Sequence, residues 1–150
     1  MSKRQGSIVV GCGRFGSLVA DYLSDKDEEV TVIDFRAQSF HKLSPSFGGL
    51  SDEGDGRDIE TLKRYEADKV KTLVACCSDD DDNIMISQIA KVFFEIPQVF
   101  ARIQDTSKLP AIADTGIVPI CPTTLAVSEF QRVCEDINIV EKAKKEMEAI

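Results

Sequence analysis

The sequence predicts an α/β protein, a doubly wound parallel sheet with helices on both faces, and three observations carry that expectation. Short apolar runs alternate with segments of helical period along the whole chain. A glycine-rich turn, Gly11-Cys-Gly-Arg-Phe-Gly16, joins the first apolar run to the first helical segment. An acidic residue, Asp34, closes the second run 18 residues after Gly16. Parallel strands need long crossovers, and helical crossovers end up covering both faces of the sheet.

Ser7-Ile-Val-Val10 is a short apolar run ending at glycine, which reads as a buried strand. Phe15, Leu18, Val19 and Tyr22 then fall on one helical face, and Ser24 to Asp27 ends that helix. Val30 to Ile33 is the second strand, so strand, turn, helix and strand form a βαβ unit. Ala37 to Leu43 is a short helix candidate, and Phe47 to Ser51 a weak third strand. Ile59 to Tyr65 reads as a helix with Asp58 as its N-cap, and Thr72 to Cys77 as the fourth strand.

Asp82 is the expected cap of a helix reaching Phe94, with Ile86, Ile89, Ala90 and Phe93 on one face and Met85 and Val92 on a second flank. Gln98 to Ile103 is strand five, Lys108 to Thr115 a helix, and Gly116 to Cys121 strand six. After Pro122 two helical stripes appear: Ala126, Phe130, Val133 and Ile137, then Val140, Ala143, Met147 and Ile150. With no strand left to cover, they read as packing or dimerisation helices. The domain reading is a nucleotide-binding unit over 1–137 and an amphipathic helix over 138–150. Six strands in this alternation fit the Rossmann arrangement, order 3-2-1-4-5-6.

Composition narrows the partners. The chain has 150 residues, 18 Lys/Arg, 26 Asp/Glu and a formal net charge of −8. That acidity argues against nucleic acid and anionic lipid, which bind through clustered Lys/Arg. The longest charge-free run, Thr115 to Ser128, is 14 residues with two prolines, too short for a spanning helix of about 20. No signal peptide is apparent, and a cytoplasmic location is expected. The five cysteines, at 12, 76, 77, 121 and 134, have no CxxC spacing, which suggests reduced thiols and no metal site. His41 is the single histidine and has no nucleophile beside it in sequence, so no catalytic residue is assigned. Tyr65-Glu-Ala-Asp-Lys69 matches a YxxxK dehydrogenase motif but precedes the fourth strand, the wrong context for that chemistry.

The glycine turn carries a specific chemistry. Gly11 permits the tight turn, Gly13 lets backbone approach a pyrophosphate, and Gly16 lets helix and strand pack closely. The helix N-terminus offers free N–H groups and partial positive charge to phosphate. Asp34 is placed to accept hydrogen bonds from ribose hydroxyls and would repel a 2′-phosphate, which disfavours NADP; Arg36, two residues on, would soften that repulsion. Cys12, Arg14, Phe15 and Phe35 belong to the same candidate set. NAD, NADH, ATP and ADP all present an adenosine ribose and a diphosphate, and the motif does not separate them.

These residues resemble the N-terminal nucleotide-binding domain of TrkA-type and KtrA-type potassium-transport regulators, the RCK or KTN domain, over roughly residues 6 to 137. The marks are the 11–16 turn with Asp34, Gly54-Asp-Gly-Arg-Asp58, Ser78-Asp-Asp-Asp-Asp-Asn83, Ala101-Arg102 and Gly116-Ile-Val-Pro-Ile-Cys-Pro122. The resemblance implies that Arg14 and Arg102 lie near phosphates, Arg102 reaching across a subunit interface. It implies that Asp55, Gly56 and Asp58 line an adenine pocket, and that Ser78 and Asp79 border the ligand, with Asn83 completing the set. Asp80 and Asp81 read better as a solvated acidic loop.

The resemblance further implies a homodimer or higher ring through helices 82–94 and 123–137, partnered with a membrane potassium channel or transporter and with no bilayer insertion of its own. Thr123 stands where family members often carry a glutamate, so a cation site there is not expected. The family's C-terminal domain has no counterpart in these 150 residues, so its sensing role is not expected either; a stand-alone regulator, half of a split pair and a shortened chain all fit. The leading expectation is a nucleotide-binding regulatory subunit. The alternatives are a small NAD-dependent oxidoreductase and a redox sensor built on Cys12 or Cys76/Cys77.

Overall fold

A computed structural model describes residues 3–150. It divides into two units, one ending at Ile120 and one spanning Cys121–Ile150. The first holds six parallel strands, β1 (Ser7–Val10), β2 (Val30–Asp34), β3 (Leu50–Glu53), β4 (Thr72–Ala75), β5 (Gln98–Arg102) and β6 (Val118–Ile120), in the order 3-2-1-4-5-6. This is the expected doubly wound sheet. β1 sits between β2 and β4 with Val10 beside both Ile33 and Ala75, and every residue of β1 and β4 is buried. Central strands covered on both faces read as unbroken apolar runs, which is why these two are plain in the sequence.

The edge strands obey different chemistry. β3 is expected over Phe47 to Ser51 but forms over Leu50–Glu53, pairing Thr31–Asp34 of β2, and all four of its residues are exposed. An exposed strand leaves no hydrophobic signature. Phe47 instead closes a turn, donating its N–H to the Ser44 carbonyl at 2.9 Å, and packs on the core. At the other edge, β6 contains Pro119 opposite Ala101. The Ile120 carbonyl accepts from Ile103 N–H at 2.9 Å, so the backbone of Pro119 faces the free edge, where its missing N–H removes no ladder bond.

Helix α1 (Arg14–Asp25) lies on the sheet through Phe15, Gly16, Val19, Ala20 and Leu23. Leu18 and Tyr22, expected on that face, are 68% and 61% exposed. The small residues Gly16 and Ala20 sit at the line of closest approach, which turns the bulky pair outward. Helix α2 (Ile59–Arg64) is capped by Asp58, whose carboxylate accepts from Glu60 N–H at 2.9 Å. The helices expected over Ala37 to Leu43 and Lys108 to Thr115 form as 3₁₀ turns at Ala37–Lys42 and Thr106–Ile112, the second with Pro110 inside it.

Helix α3 (Asp80–Gln88) starts earlier than expected. Asp79, not Asp82, is its cap, accepting from Asp81 and Asp82 N–H at 2.8 and 3.1 Å. It runs into one π-helical turn, Ile89–Phe93, where Phe94 N–H reaches back five residues to Ile89 at 3.3 Å. The extra residue rotates the end of the helix, so Phe94 is buried and Phe93 is 53% exposed, the reverse of the expected face. Asp80 is also a correction. It is buried, and its two oxygens accept from Gln104 and Asp105 N–H at 2.9 Å each, tying α3 to the chain leaving β5.

The second unit is a single helix, α4 (Pro122–Glu148), with Pro122 in its first turn. The two stripes expected as separate helices are one continuous element with no end near residue 137. Leu125, Phe130, Ile137 and Met147 are exposed along it, and Arg132 pairs with Glu129 and Asp136. No helix among the described residues is long and apolar enough to cross a membrane.

Replacing Asp80 by alanine should remove the acceptor from two backbone donors, Gln104 and Asp105 N–H, and lower stability by about 1 kcal/mol in urea unfolding. Asp80→Asn, which keeps one acceptor oxygen, should lose less; equal stability of all three proteins would remove Asp80 from the framework.

Candidate functional site

The strand order reverses between β1 and β4, and there a cleft of about 260 Å³ opens at the carboxyl ends of the strands. A parallel sheet leaves a crevice at such a switch point because its flanking crossovers diverge to opposite faces. The glycine turn builds the floor. Gly11 has φ +103°, and a Cβ on it would lie 2.7 Å from the Cys76 carbonyl oxygen. A Cβ on Gly16 would fall 1.8 Å from the Gly11 carbonyl oxygen. Both glycines are therefore required by the packing of the chain itself.

Gly13 differs. It lines the cleft at the N-cap of α1, and a Cβ there would meet no protein atom within 4 Å. Nothing in the described chain needs a glycine at that position. The first turn of α1 carries no acidic residue and no side-chain cap, so its N–H groups are free.

Asp34 ends β2 with its carboxylate fixed on two backbone donors. Oδ2 accepts from Cys12 N–H at 2.7 Å and Oδ1 from Arg36 N–H at 2.8 Å. Each oxygen retains lone-pair capacity toward the cleft that it lines. Across the cleft, Arg102 ends β5. Its Nε is buried with no hydrogen-bond partner, an orphaned charged donor at the cleft wall. Its backbone is held by Asn83, whose Nδ2 donates to the Arg102 and Cys77 carbonyls at 2.9 Å each, while Oδ1 accepts from Cys77 N–H at 2.7 Å. Fully buried, Asn83 staples the ends of β4 and β5 together.

Of the sequence-derived candidates, Gly11, Gly13, Asp34, Phe35 and Arg36 line the cleft from the β1–β2 side. Asp55, Gly56, Ser78 and Arg102 line it from the others. Seven do not line it. Cys12 and Phe15 pack in the core, Gly16 serves the α1–β1 contact, and Arg14 is exposed beyond the lining. The side chains of Asp58 and Asp79 cap helices, and Asn83 is internal. Sequence reasoning missed Arg57 and Asp82, which line the cleft and pair with one another at 3.3 Å. Arg57 is unremarkable inside the 54–58 turn, and Asp82 is assigned by sequence to a cap that Asp79 makes.

The thiols argue against nucleophilic chemistry. Burial pushes Cys12 up to about 11 and Cys77 up to about 12, with nearby Asp34 and Asp82 adding to it, and Cys76 is raised further still. Cys76 Sγ sits against the Val10 and Gly11 carbonyls at 3.4 and 3.3 Å and directs its proton there. Tyr65 and Lys69 lie outside the cleft, Tyr65 on Asp52 and Lys69 on Glu66, so the dehydrogenase-like pair does not face the glycine turn. His41 is exposed and contacts the Gln38 carbonyl.

Sheet order, glycine turn and cleft together define a Rossmann-type domain. The TrkA-N domain model matches residues 7–121. The chain therefore belongs to the TrkA-N family. It is 31% identical over 125 residues to the Trk system potassium uptake protein TrkA of Streptomyces coelicolor, covering 83% of this chain and 56% of that protein. A TrkA homolog of Pyrococcus horikoshii is 28% identical, covering 71% of this chain and 47% of its own length. The chain thus spans about half the length of the curated relatives it matches.

Among solved structures, the TrkA-N domain of the Escherichia coli inner membrane protein ybaL superposes with a TM-score of 0.77 at 17% identity, covering 89% of this chain and 98% of that one. The GsuK channel, solved bound to NAD and bound to ADP, gives 0.64 and 0.63 at 14% and 16% identity. The two cover 78% and 79% of this chain, and 22% and 32% of those chains. At these identities the likeness is one of fold.

Protonated thiols, buried at Cys12 and Cys76 and half-buried at Cys77, should resist alkylation. In the native protein at pH 7.5, Cys12, Cys76 and Cys77 should stay unmodified by iodoacetamide and react only in denaturant, as read by peptide mass mapping. Fast native labelling of Cys12 or Cys77 would restore a redox role.

Proposed function

We propose that this domain binds an adenine nucleotide in the cleft and acts as a cytosolic regulatory subunit of a membrane potassium channel or transporter, without catalysing a reaction. The observation that carries the binding reading is Arg102. A buried guanidinium nitrogen without an acceptor is costly, and an anionic group in the cleft would supply the acceptor. Gly13 agrees with it, because only an occupant of the cleft gives its missing Cβ a purpose. The free N–H groups of α1 and the Arg102 guanidinium would hold a diphosphate, and Asp34 the ribose hydroxyls. A 2′-phosphate would meet the Asp34 carboxylate, so NAD, NADH, ATP and ADP are favoured over NADP. That structures of GsuK, a neighbour in fold, carry NAD and ADP supports the same range of ligands.

Regulation requires a ligand that prefers one of two arrangements, since an equilibrium moves only by a difference in affinity. Self-association supplies the second arrangement in this reading. Two apolar faces serve it: Met85, Val92 and Phe93 along 82–94, and Leu125, Phe130 and Ile137 along 123–137, all of them exposed.

Thermal melting with NAD, NADH, NADPH, ATP and ADP tests the binding. A ligand at 100 times its Kd should stabilise by about 2.7 kcal/mol, and no response to any of them would remove the reading. Asp34→Ala should weaken every nucleotide. Gly13→Ala should abolish most of the response while changing the ligand-free stability by less than about 1 kcal/mol. For assembly, sedimentation at micromolar concentration should give a dimer or larger, and the Phe130→Glu and Val92→Glu variants should each shift it toward monomer.

A further inference from the structure

Arg57 comes directly after Gly56 in the turn beyond β3, and its guanidinium stands across the cleft. Nε and Nη2 donate to the two oxygens of Asp55 at 3.1 and 3.2 Å, a fork reinforced by the Arg57 N–H on Asp55 Oδ1 at 2.9 Å. Nη1 points the other way and donates to Asp82 Oδ1 at 3.3 Å. The ring of Phe35 lies beneath the guanidinium, its centroid 5.1 Å from Cζ. Phe35 and Asp55 come after β2 and β3, whereas Asp82 sits in the first turn of α3 after β4. Since β2 and β4 flank β1 on opposite sides, only the Asp82 arm spans the switch point.

The two arms are unequal. The Asp55 arm is bidentate and local, and its hydrogen bond to Arg57 holds the Asp55 carboxyl below the usual carboxylate range. The Asp82 arm is a single bond to a carboxylate that the positive end of α3 stabilises whether or not Arg57 is present. Asp82 is therefore the partner that Arg57 releases most readily. Arg57 and Asp82 both line the cleft that a ligand would occupy. One that offers an anionic oxygen returns an acceptor to Nη1, and one that offers none leaves it empty.

We propose that Arg57 adds, beside Arg102 and the α1 N–H groups, to the preference of the cleft for phosphorylated over unphosphorylated adenosine: Nη1 exchanges Asp82 for an anionic oxygen of the ligand while Asp55 and Phe35 keep the guanidinium in place. This assignment rests on the nucleotide reading of the cleft and goes beyond it by naming a further residue that discriminates. Asp82 acts as an internal competitor for the same donor. The Arg57 side chain is 40% exposed to solvent, so replacing it with an unbranched apolar one leaves the core intact.

Calorimetric titration of ADP and adenosine into the unsubstituted protein, Arg57→Met, Asp82→Asn and the double variant tests it. Arg57→Met should weaken ADP by roughly tenfold, the worth of one hydrogen bond to a charged group, and leave adenosine within about twofold. Asp82→Asn should tighten ADP by roughly two- to fivefold, the range of an exposed ion pair. In the Arg57→Met background the Asp82→Asn gain should vanish. A gain that persists there would mean plain repulsion between Asp82 and phosphate and would overturn the exchange. Equal weakening of ADP and adenosine by Arg57→Met would also overturn it, with the nucleotide reading standing. Failure of the unsubstituted protein to bind either ligand would overturn both.

Discussion

The contact between Gly11 and Gly16 sets the rest of the molecule. With 1.8 Å between a notional Gly16 Cβ and the Gly11 carbonyl oxygen, α1 can approach β1 only through bare backbone. That approach directs the first turn of α1 over the carboxyl end of the sheet and brings Cys12 N–H onto Asp34 at 2.7 Å. The same close packing admits Ala20 to the interface and turns Leu18 and Tyr22 to solvent. One steric constraint thus fixes the helix, the orientation of the acidic residue and the floor of the cleft.

The opposite wall is fixed by polar groups. Asn83 joins the ends of β4 and β5, Asp79 caps α3, and Asp80 grips the chain beyond β5. Three neighbouring polar side chains are thus used up in building the frame, and Asp82 and Arg102 are left facing the cleft. A run of four consecutive aspartates divides into a cap, a buried clamp, a surface ion pair to Lys108 and a cleft residue. Their chemistry is identical, and only their angular position on the helix separates their roles.

That division also shows what sequence can and cannot convey. β1 and β4 are legible because burial on both faces demands apolar residues throughout, and the 11–16 turn because backbone geometry there tolerates nothing larger at Gly11 and Gly16. β3 is misplaced by sequence because an exposed strand imposes no hydrophobic pattern, and the α1 face is misread because hydrophobicity favours Leu18 where close approach favours Gly16 and Ala20. The π turn is silent in sequence, since it changes hydrogen bonding and not residue type. Arg57 escapes notice because an arginine in a polar turn is ordinary until its partners are known. Nine of the sixteen candidate site residues line the cleft; among the others, Gly16, Asp58, Asp79 and Asn83 support it from behind.

The two borders of the sheet have a consequence for how such molecules meet. One ends in Leu50–Glu53, exposed and closing on two carboxylates, and the other carries Pro119 with no N–H to extend the ladder outward. An incoming strand would face charge repulsion on one side and a missing donor on the other. Both borders therefore disfavour the addition of another strand. Contact through helical side chains is saturable and reversible where strand addition is open-ended, and the chemistry of these two borders leans away from the open-ended kind.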